Sequence, residues 1–449
     1  MSTLKAGYGR TNITPPMGIS ISGYYIPRNA DGILDDLEAT ALAVELNSKA
    51  VILISLDHLH IKQGLATEIR GKVAEATGVE ADAVFIHCTH THTGPHLSDE
   101  TDEELNKRHT EFFITRVIDA ATFAMADLRP AKMGFGVGQA PGVAFVRRFR
   151  MKDGSVRTNP GVNNPDIVHP IGDIDERVSV VRFDREGAES LVLVNFANHP
   201  DVVGGCKISA DWPGLTRRTV EKAIDNTKCI FFNGAQGDIN HVNVHPTGGF
   251  LNDMFMDFDD VARGYGHARY MGRVIAGGVL QIFDKVKYVD VDSLVSVRKV
   301  LDVPSNKPAP EQLPEAYRIK QLHDEGRDSE LPYSGMMLTT VVAEACRMVR
   351  LENAPDTFDM TLSGIKLGPV AIVGIPGEPF TGIGRGIKDT DGFDMILHVC
   401  CANGYEGYFP MRDSYEEGGY EARSSQFKAG VAEYIVEESK KLLHGMESV

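Results

Sequence analysis

Short apolar runs alternate with longer amphipathic stretches along most of the chain. Runs rich in Val, Ile and Phe predict buried strands, and apolar residues spaced three or four apart predict helices. The predicted strands are 50–56, 83–88, 190–197, 229–234, 370–375 and 395–401, followed by helices at about 63–77, 103–128, 213–225, 261–283, 380–388 and 423–443. This alternation predicts a layered α/β fold around a sheet whose strands are buried on both faces.

Two segments interrupt this rhythm. Residues 139–177 are rich in Pro, Gly and Asn, and residues 303–335 read as a surface insertion that carries a helix. Long excursions from a compact domain commonly form lids or the walls of a site. Since no internal repeat or low-complexity tract is present, we expect one domain over residues 1–449, with these two insertions.

The charge balance narrows the classes of partner. With 62 acidic and 46 basic side chains, the formal net charge is -16, which argues against nucleic acid or an anionic membrane as partner. No apolar stretch approaches a transmembrane helix, and the first residues lack the apolar core of a secretory signal. We therefore expect a cytoplasmic protein that acts on a small molecule, without integral membrane association. Whether the protein forms a homo-oligomer stays open.

The stretch VFIHCTHTHTGPHL, residues 84–97, holds four histidines directly after an apolar run. His90 and His92 lie two positions apart, so both rings face the same side of an extended backbone. This pair suits two metal ligands, or one ligand and one acid/base group, and a hydrogen-bonded structural pair is equally compatible. We expect His87 to lie in the strand and His96 at the rim. His58 and His60 repeat the spacing, and we expect structural or supporting roles for them.

Polar residues recur after other predicted strands. In open α/β sheets, ligands and catalytic groups gather outside the carboxyl ends of the strands, which predicts one site built from separate segments. These residues are His199 in NFANHP, Asp238, Asn240 and His241 in GAQGDINH, Glu378 in IPGEPF, and Tyr405 and Tyr408 in NGYEGY.

This set of side chains indicates metal chemistry. Two histidines, a carboxylate and an open position form the ligand set of a catalytic zinc, and a phenol is a less usual further ligand. The glycine runs do not match the dinucleotide fingerprint, and no GxSxG nucleophile elbow is present.

The blocks THTHTGP, NFANHP, GAQGDIN, IPGEPF and NGYEGYFPMRDSYEEGGYEARSS resemble, in the same order, those of the neutral (non-lysosomal) ceramidase catalytic domain. The resemblance runs from GYGRTNITPP near residue 7 to YEARSS near residue 425. It implies a zinc amidase that splits the N-acyl bond of ceramide, built on an α/β domain with a mixed sheet.

The resemblance also implies roles for individual residues. It implies one zinc ion per chain. The implied ligands are His90, His199, Glu378 and Tyr408. His92 matches the neighbouring catalytic histidine, Arg147 the substrate-side arginine, with Arg148 nearly as good a match, and Tyr420 a second active-site tyrosine.

The chemistry of these groups agrees with that assignment. Zinc with such ligands lowers the pKa of its bound water to about 7 and directs it at a carbonyl carbon. His92 is expected to carry the proton, and Arg147 or a tyrosine hydroxyl to stabilise the oxygen's negative charge. Asp57 and Asp238 are candidates to orient the histidines. Asn240, Arg148 and Tyr405 are further candidates on the substrate side.

One departure keeps other substrates open. The ceramidase block GDVSPN has a serine where this chain has Asn240. The alternative is a zinc hydrolase of a small polar ester, lactone or amide of a sugar or amino acid. Arg147, Arg148 and Arg150 could then bind a carboxylate or phosphate of the substrate. The other interpretation is that these arginines pair with acidic residues of the protein. A metal-assisted lyase or isomerase also stays open, as does a second metal near His58, His60 or His241.

Overall fold

The computed structural model describes residues 4–246, 255–256 and 262–447. The helices are α1 Gln63–Thr77, α2 Glu104–Ala126, α3 Asp211–Ala223, α4 Tyr265–Ile282, α5 Leu313–Asp324, α6 Gly335–Leu351, α7 Thr381–Lys388, α8 Ser414–Glu417, α9 Tyr420–Ser424 and α10 Val431–Glu447. The strands are β1 Leu4–Asn12, β2 Ser20–Ile21, β3 Arg28–Asn29, β4 Gly32–Ile33, β5 Glu38–Leu46, β6 Lys49–Leu56, β7 Val84–Cys88, β8 Arg129–Gln139, β9 Phe145–Val146, β10 Arg148–Met151, β11 Val156–Thr158, β12 Ile167–Pro170, β13 Arg177–Arg185, β14 Ser190–Phe196, β15 Lys207–Ile208, β16 Thr227–Asn233, β17 Ile239–Asn240, β18 Phe255–Met256, β19 Ala262–Arg263, β20 Lys287–Val289, β21 Leu294–Pro304, β22 Thr357–Leu367, β23 Val370–Gly374, β24 Glu378–Pro379, β25 Met395–Val399 and β26 Tyr408–Phe409.

Two mixed sheets form the centre of the fold. The larger one has the order β16-β14-β13-β8-β1-β5-β6-β7, with β20 also paired to β8. In it, β14–β16 and β6–β7 are parallel and the other pairs are antiparallel. The smaller sheet has the order β21-β22-β23-β25, and only its β23–β25 pair is parallel. The predicted α/β fold with a mixed central sheet flanked by helices is confirmed.

The hydrophobic core is divided into layers. One cluster lies between the two sheets and joins residues such as Phe85 and Leu193 to Ile372 and Leu397. Other clusters cover the outer faces of the sheets, where α1 and α2, α3 and α4, and α7 and α10 pack. The central strands of both sheets are thereby covered on both sides, which is why they are nearly continuous apolar runs in the sequence.

Some predicted boundaries differ from the structure. The last helix begins at Val431 rather than near residue 423. Gly430, directly before it, has a left-handed φ of 99°, which interrupts a helical backbone at that point. Residues 420–424 form the separate helix α9. Of the helix predicted at 261–283, residue 261 lies outside the described residues, and α4 begins at Tyr265.

The two predicted insertions are ordered. The first contains β9 and the small sheet β11-β10-β12, and the second contains α5 and continues into α6. Within the described ranges, no helix combines the length and apolar character that crossing a bilayer requires. The assignment of the whole chain to one domain stays a prediction.

Candidate metal centre

His90 lies two residues beyond β7 in a left-handed conformation, with φ of 76°. Such a backbone costs about 1–3 kcal/mol for a non-glycine residue and persists where the surroundings impose it. Nδ1 of the ring lies 2.9 Å from the carbonyl oxygen of Leu59. An Nδ1–H donor at this distance leaves the lone pair of Nε2 free for a ligand on the other side of the ring.

His199 follows β14 and presents its Nε2 to the same point. Nδ1 lies 3.5 Å from the Gln236 carbonyl oxygen, and the His199 backbone N–H donates to Oδ1 of Asn198. The ring of His199 meets that of His90 nearly edge-on, with centroids 4.9 Å apart. Two separate strand ends therefore deliver two imidazoles to one place.

Glu378 supplies the carboxylate between these rings. Its Oε2 lies 3.3 Å from Nε2 of His90 and 3.7 Å from Nε2 of His199. Its Oε1 accepts a hydrogen bond of 2.5 Å from the Tyr405 hydroxyl. The residue is 1% exposed, and Oε2 has no hydrogen-bond partner among the described residues.

The pairing of two short strands brings Tyr408 beside Glu378. β24 and β26 pair in parallel with Glu378 opposite Tyr408. Gly377 has a φ of 149°, and a Cβ atom at this position would collide with the carbonyl oxygen of Gly407. Glycine at 377 thus permits the close approach of the two segments.

His92 completes a cluster of three imidazoles. Its Nε2 lies 3.1 Å from Nε2 of His199. One nitrogen each from His90, His92 and His199 can be chosen so that all three lie within 4.8 Å of one another. The Tyr24 ring packs against the other side of His92, with centroids 5.6 Å apart.

The electrostatics of this cluster couple the imidazoles to the carboxylate. Burial raises the pKa of Glu378, but the His90 and His199 imidazoles outweigh it and lower that pKa overall. Burial lowers the pKa of His90, whereas Glu378 raises it to well above the ordinary value. Burial, assisted by Arg147, lowers the pKa of His199 to about 3, and burial also lowers that of His92. A neutral imidazole is the form that binds a metal.

Arg147 lies behind the histidines and is buried. Nε donates to Oε1 of Glu421 over 2.7 Å, and Nη2 donates to the Gly237 carbonyl and the Tyr408 hydroxyl over 2.7 and 3.2 Å. Nη1 lies 3.5 Å from Nδ1 of His199. Tyr420 stands beside Tyr408 with the rings edge-on and their centroids 5.5 Å apart.

The donor set fits a zinc ion. Two imidazole nitrogens, a carboxylate oxygen and a phenol oxygen are all ligand types that zinc accepts. The buried Glu378 oxygen without a hydrogen bond is the particular feature that a cation would satisfy. Among the residues that the structure describes, no second group of three His, Cys, Asp or Glu ligand atoms is as close together.

The predicted orienting carboxylates have other partners. Asp57 binds Arg217 through both oxygens, at 2.8 and 2.5 Å. Asp238 accepts the Thr381 backbone N–H over 2.7 Å at the start of α7. These two carboxylates thus bind a buried arginine and a helix N-terminus, and backbone carbonyl oxygens lie next to Nδ1 of His90 and His199. A role of Asp57 and Asp238 in orienting the histidines stays a prediction.

Of the remaining substrate-side candidates, one contacts a proposed metal ligand and the others bind side chains elsewhere in the protein. Tyr405 contacts Glu378 directly, and its ring stacks on His60 with centroids 3.9 Å apart. Asn240 donates from Nδ2 to Oδ1 of Asn159 over 2.8 Å, in the wall next to Arg147. Arg148 binds Glu417 at 3.1 Å, and Arg150 binds it at 2.9 Å. Both arginines therefore pair with an acidic residue of the protein, which was the other interpretation of their role.

The other histidines lie outside the cluster. His87 is buried in β7, and its two nitrogens meet the Cys400 carbonyl and the Asn233 backbone N–H, as its expected place in the strand requires. His60 and His96 lie 3.3 and 3.5 Å from the two oxygens of Glu100. His58 packs against Phe113, and His241 lies 3.4 Å from Asp201.

Sequence reasoning missed Glu421. This carboxylate is 0% exposed and binds Arg147 with one oxygen and the Thr158 hydroxyl with the other, at 2.7 and 2.8 Å. Its position directly after Tyr420 in the block GGYEARSS was the available signal.

Two solved structures resemble this fold. Neutral ceramidase from Pseudomonas aeruginosa matches with a TM-score of 0.74 at 15% sequence identity, over 100% of this chain and 75% of that chain. A structure described as ceramidase complexed with C2 matches with a TM-score of 0.70 at 16% identity, over 99% and 76% of the two chains. Comparisons with protein-family models and with curated protein sequences give no match. The chain therefore has a neutral ceramidase-like fold.

Proposed function

We propose that the chain is a zinc-dependent hydrolase of the neutral ceramidase type that splits an amide bond. One zinc ion per chain is held by His90, His199, Glu378 and Tyr408. The observation that carries the proposal is the buried Oε2 of Glu378, which faces two imidazole Nε2 atoms and has no hydrogen bond among the described residues. A buried carboxylate oxygen without a hydrogen bond is unfavourable, and a cation removes that penalty.

The choice of bond rests on the fold. The two solved structures described above are ceramidases, whose name denotes cleavage of the amide in ceramide. A zinc ion held by these residues would supply a Lewis acid for the carbonyl oxygen and would lower the pKa of a bound water molecule to about 7. No serine or cysteine nucleophile is required for this chemistry.

Proton transfer is assigned to His92. Its Nε2 lies 3.1 Å from Nε2 of His199 and so borders the place where the ligand atoms converge. His92 accepts the proton of the attacking water and returns it to the leaving nitrogen, which departs as an amine.

Arg147 and Tyr420 are assigned to the developing negative charge on the carbonyl oxygen. Glu421 and Gly237 engage Nε and Nη2 of Arg147, so the guanidinium is fixed before substrate arrives. Donors fixed in this way stabilise the transition state without reorganisation. Tyr420 adds a hydroxyl on the Tyr408 side of the centre.

The test is hydrolysis by the purified protein after zinc loading. N-acyl amides of short and long chain, and the matching esters, are incubated with the enzyme, with the chelated enzyme, and with the chelated enzyme after zinc is restored. We expect amide cleavage that chelation abolishes and zinc restores. Arg147→Gln should lower kcat by about 10²–10³-fold, with Arg108→Gln on the exposed face of α2 as control. A zinc-loaded enzyme that cleaves none of these amides contradicts the proposal.

The cytoplasmic location and the oligomeric state stay predictions. They are checked by fractionation of the producing cell and by light scattering of the purified protein.

A further inference from the structure

A cavity of about 510 Å³ lies between the two insertions. One wall is the segment from Val156 to Asn164, the opposite wall is the start of α6, and Gly419 and Arg423 lie between them. The volume falls within the usual range for sites that bind a small molecule.

Hydrogen bonds join this cavity to the candidate metal centre. The backbone N–H of Asn159 donates to the Arg147 carbonyl over 2.8 Å. The hydroxyl of Thr158 donates to Oε2 of Glu421 over 2.8 Å, and the Tyr420 backbone N–H donates to the same hydroxyl over 3.3 Å. The wall residues therefore contact Arg147, Tyr420 and Glu421 directly, and the cavity lies on the other side of this wall from the candidate metal centre.

The charge of the lining is unusual for this chain. The chain has 62 acidic side chains, yet none of the fifteen described lining residues is Asp or Glu, and two are arginines, Arg157 and Arg423. Of the three arginines that the sequence suggested for an anion, Arg147 binds Glu421, and Arg148 and Arg150 bind Glu417. Arg157 and Arg423 line the cavity instead.

Both lining arginines already have an acidic partner. Arg157 binds Asp153 at 3.0 Å in an exposed pair, whereas Arg423 binds Glu344 through both Nε and Nη2 in a half-buried pair. An exposed ion pair contributes little to stability, so an anion displaces or shares the partner of Arg157 at low cost. Nη1 of Arg423 faces Sδ of Met337, a weak acceptor that a carboxylate oxygen can replace. Arginine also offers a carboxylate two parallel N–H donors, which neutral ligands cannot use equally well.

Building on the proposed amidase activity, we infer that this cavity binds an anionic group of the substrate, which is an amide that also carries a carboxylate, such as an N-acyl amino acid. Arg157 and Arg423 are the specificity-determining residues. Water adds to the acyl carbon, the C–N bond breaks, and the products are the fatty or short-chain carboxylic acid and the free amino acid. Met336 and Met337 line the same cavity and supply apolar contacts beside the charged group.

The experiment compares two ligands that differ in charge alone. N-hexanoylglycine carries a carboxylate, and N-hexanoylglycinamide is its neutral counterpart of nearly the same size. Binding of each to the zinc-loaded protein is measured by calorimetry, and the same samples are analysed for hexanoate. N-butylsuccinamate, with the carboxylate on the acyl side, shows which side of the amide enters the cavity.

We expect N-hexanoylglycine to bind about tenfold more tightly than N-hexanoylglycinamide. Arg157→Gln and Arg423→Gln should each remove most of that difference, whereas Arg108→Gln should not. Arg157 is half exposed, so its variant tests the inference even if Arg423→Gln folds poorly. Equal binding of both ligands, or unchanged preference in Arg157→Gln, overturns the inference whether or not hexanoate is released. Preferential binding of the glycine compound without any hexanoate release would instead sink the proposed amidase and leave the anion site standing.

Discussion

The guanidinium of Arg147 donates from Nε to Oε1 of Glu421 over 2.7 Å, although the two residues lie 274 positions apart. Glu421 is completely buried, and its other oxygen accepts the hydroxyl of Thr158. This pair ties the first insertion to helix α9. It also fixes the arginine beside His199 and Tyr408, so the orientation of the proposed oxyanion donor depends on a residue outside the metal ligands.

Glu421→Ala should lower the free energy of unfolding by about 3–5 kcal/mol, because it leaves the buried Arg147 charge without its partner. Glu421→Gln keeps an oxygen acceptor and should cost less. Urea denaturation of the three proteins measures the difference. The control is Glu315→Ala, which breaks an exposed pair with Arg318 on α5 and should leave the midpoint unchanged. An equal effect of the two alanine variants would refute a stabilising role for the buried pair.

His92→Asn separates a proton carrier from a metal ligand. If His92 moves protons, the variant keeps about one zinc per chain and loses about 10²–10⁴-fold in kcat. Zinc is counted by mass spectrometry, and turnover is measured on the best amide found for the wild type. Loss of zinc together with activity would show that the nitrogen 3.1 Å from His199 is a ligand instead.

Buried His398 predicts a pH dependence of stability. Burial lowers its pKa to about 3, and neither ring nitrogen has a hydrogen-bond partner among the described residues. The unfolded chain binds this proton near pH 6.5, so stability falls as the pH is lowered from about 6.5 towards 3. His398→Leu should reduce that slope between pH 4.5 and 6 by up to about 1.4 kcal/mol per pH unit.

Urea denaturation of the chelated protein at several pH values gives the slope for the histidine variants. His169→Leu, at an exposed position of β12, is the control and should keep the wild-type slope. A slope that His398→Leu leaves unchanged would mean that this imidazole is not held neutral by the fold.

Trp212 should report zinc binding. It is the one tryptophan of the chain, it is fully buried, and its indole N–H donates to the His199 carbonyl over 3.3 Å. Addition of zinc to the metal-free protein should change its fluorescence, with saturation at about one equivalent. Trp212→Phe should lose the signal and still take up zinc. A fluorescence that zinc does not alter, in protein that mass spectrometry shows to be loaded, would contradict this coupling.

The sequence predicted the elements that carry the candidate ligands, because their strands are apolar runs that end in polar turns. Helix α1 was placed at its observed bounds, Gln63–Thr77. The smaller sheet was less visible, since β21 is half exposed along most of its length and lacks an apolar run. A period-two pattern with one solvated face is weaker than a buried run in a single sequence.

The sequence could predict site residues that lie in the turn directly after a strand. It could not predict roles that depend on a contact with a distant part of the chain. His90, His199 and Glu378 meet because three strand ends converge. Asp57 also follows a strand, but it forms an ion pair with Arg217 of α3, and no local sequence pattern predicts that contact. Glu421 acquires its role in the same way, through an arginine in a far part of the chain.

The most direct test of the account is the metal content of purified wild type and of His199→Ala, measured side by side by mass spectrometry after exposure to zinc. His169→Leu, an exposed histidine replacement, is the control. We expect about one zinc per chain in the wild type and the control, and a large loss of zinc in His199→Ala. Wild-type protein that stays free of zinc, or a His199→Ala variant that keeps its zinc, would contradict this expectation.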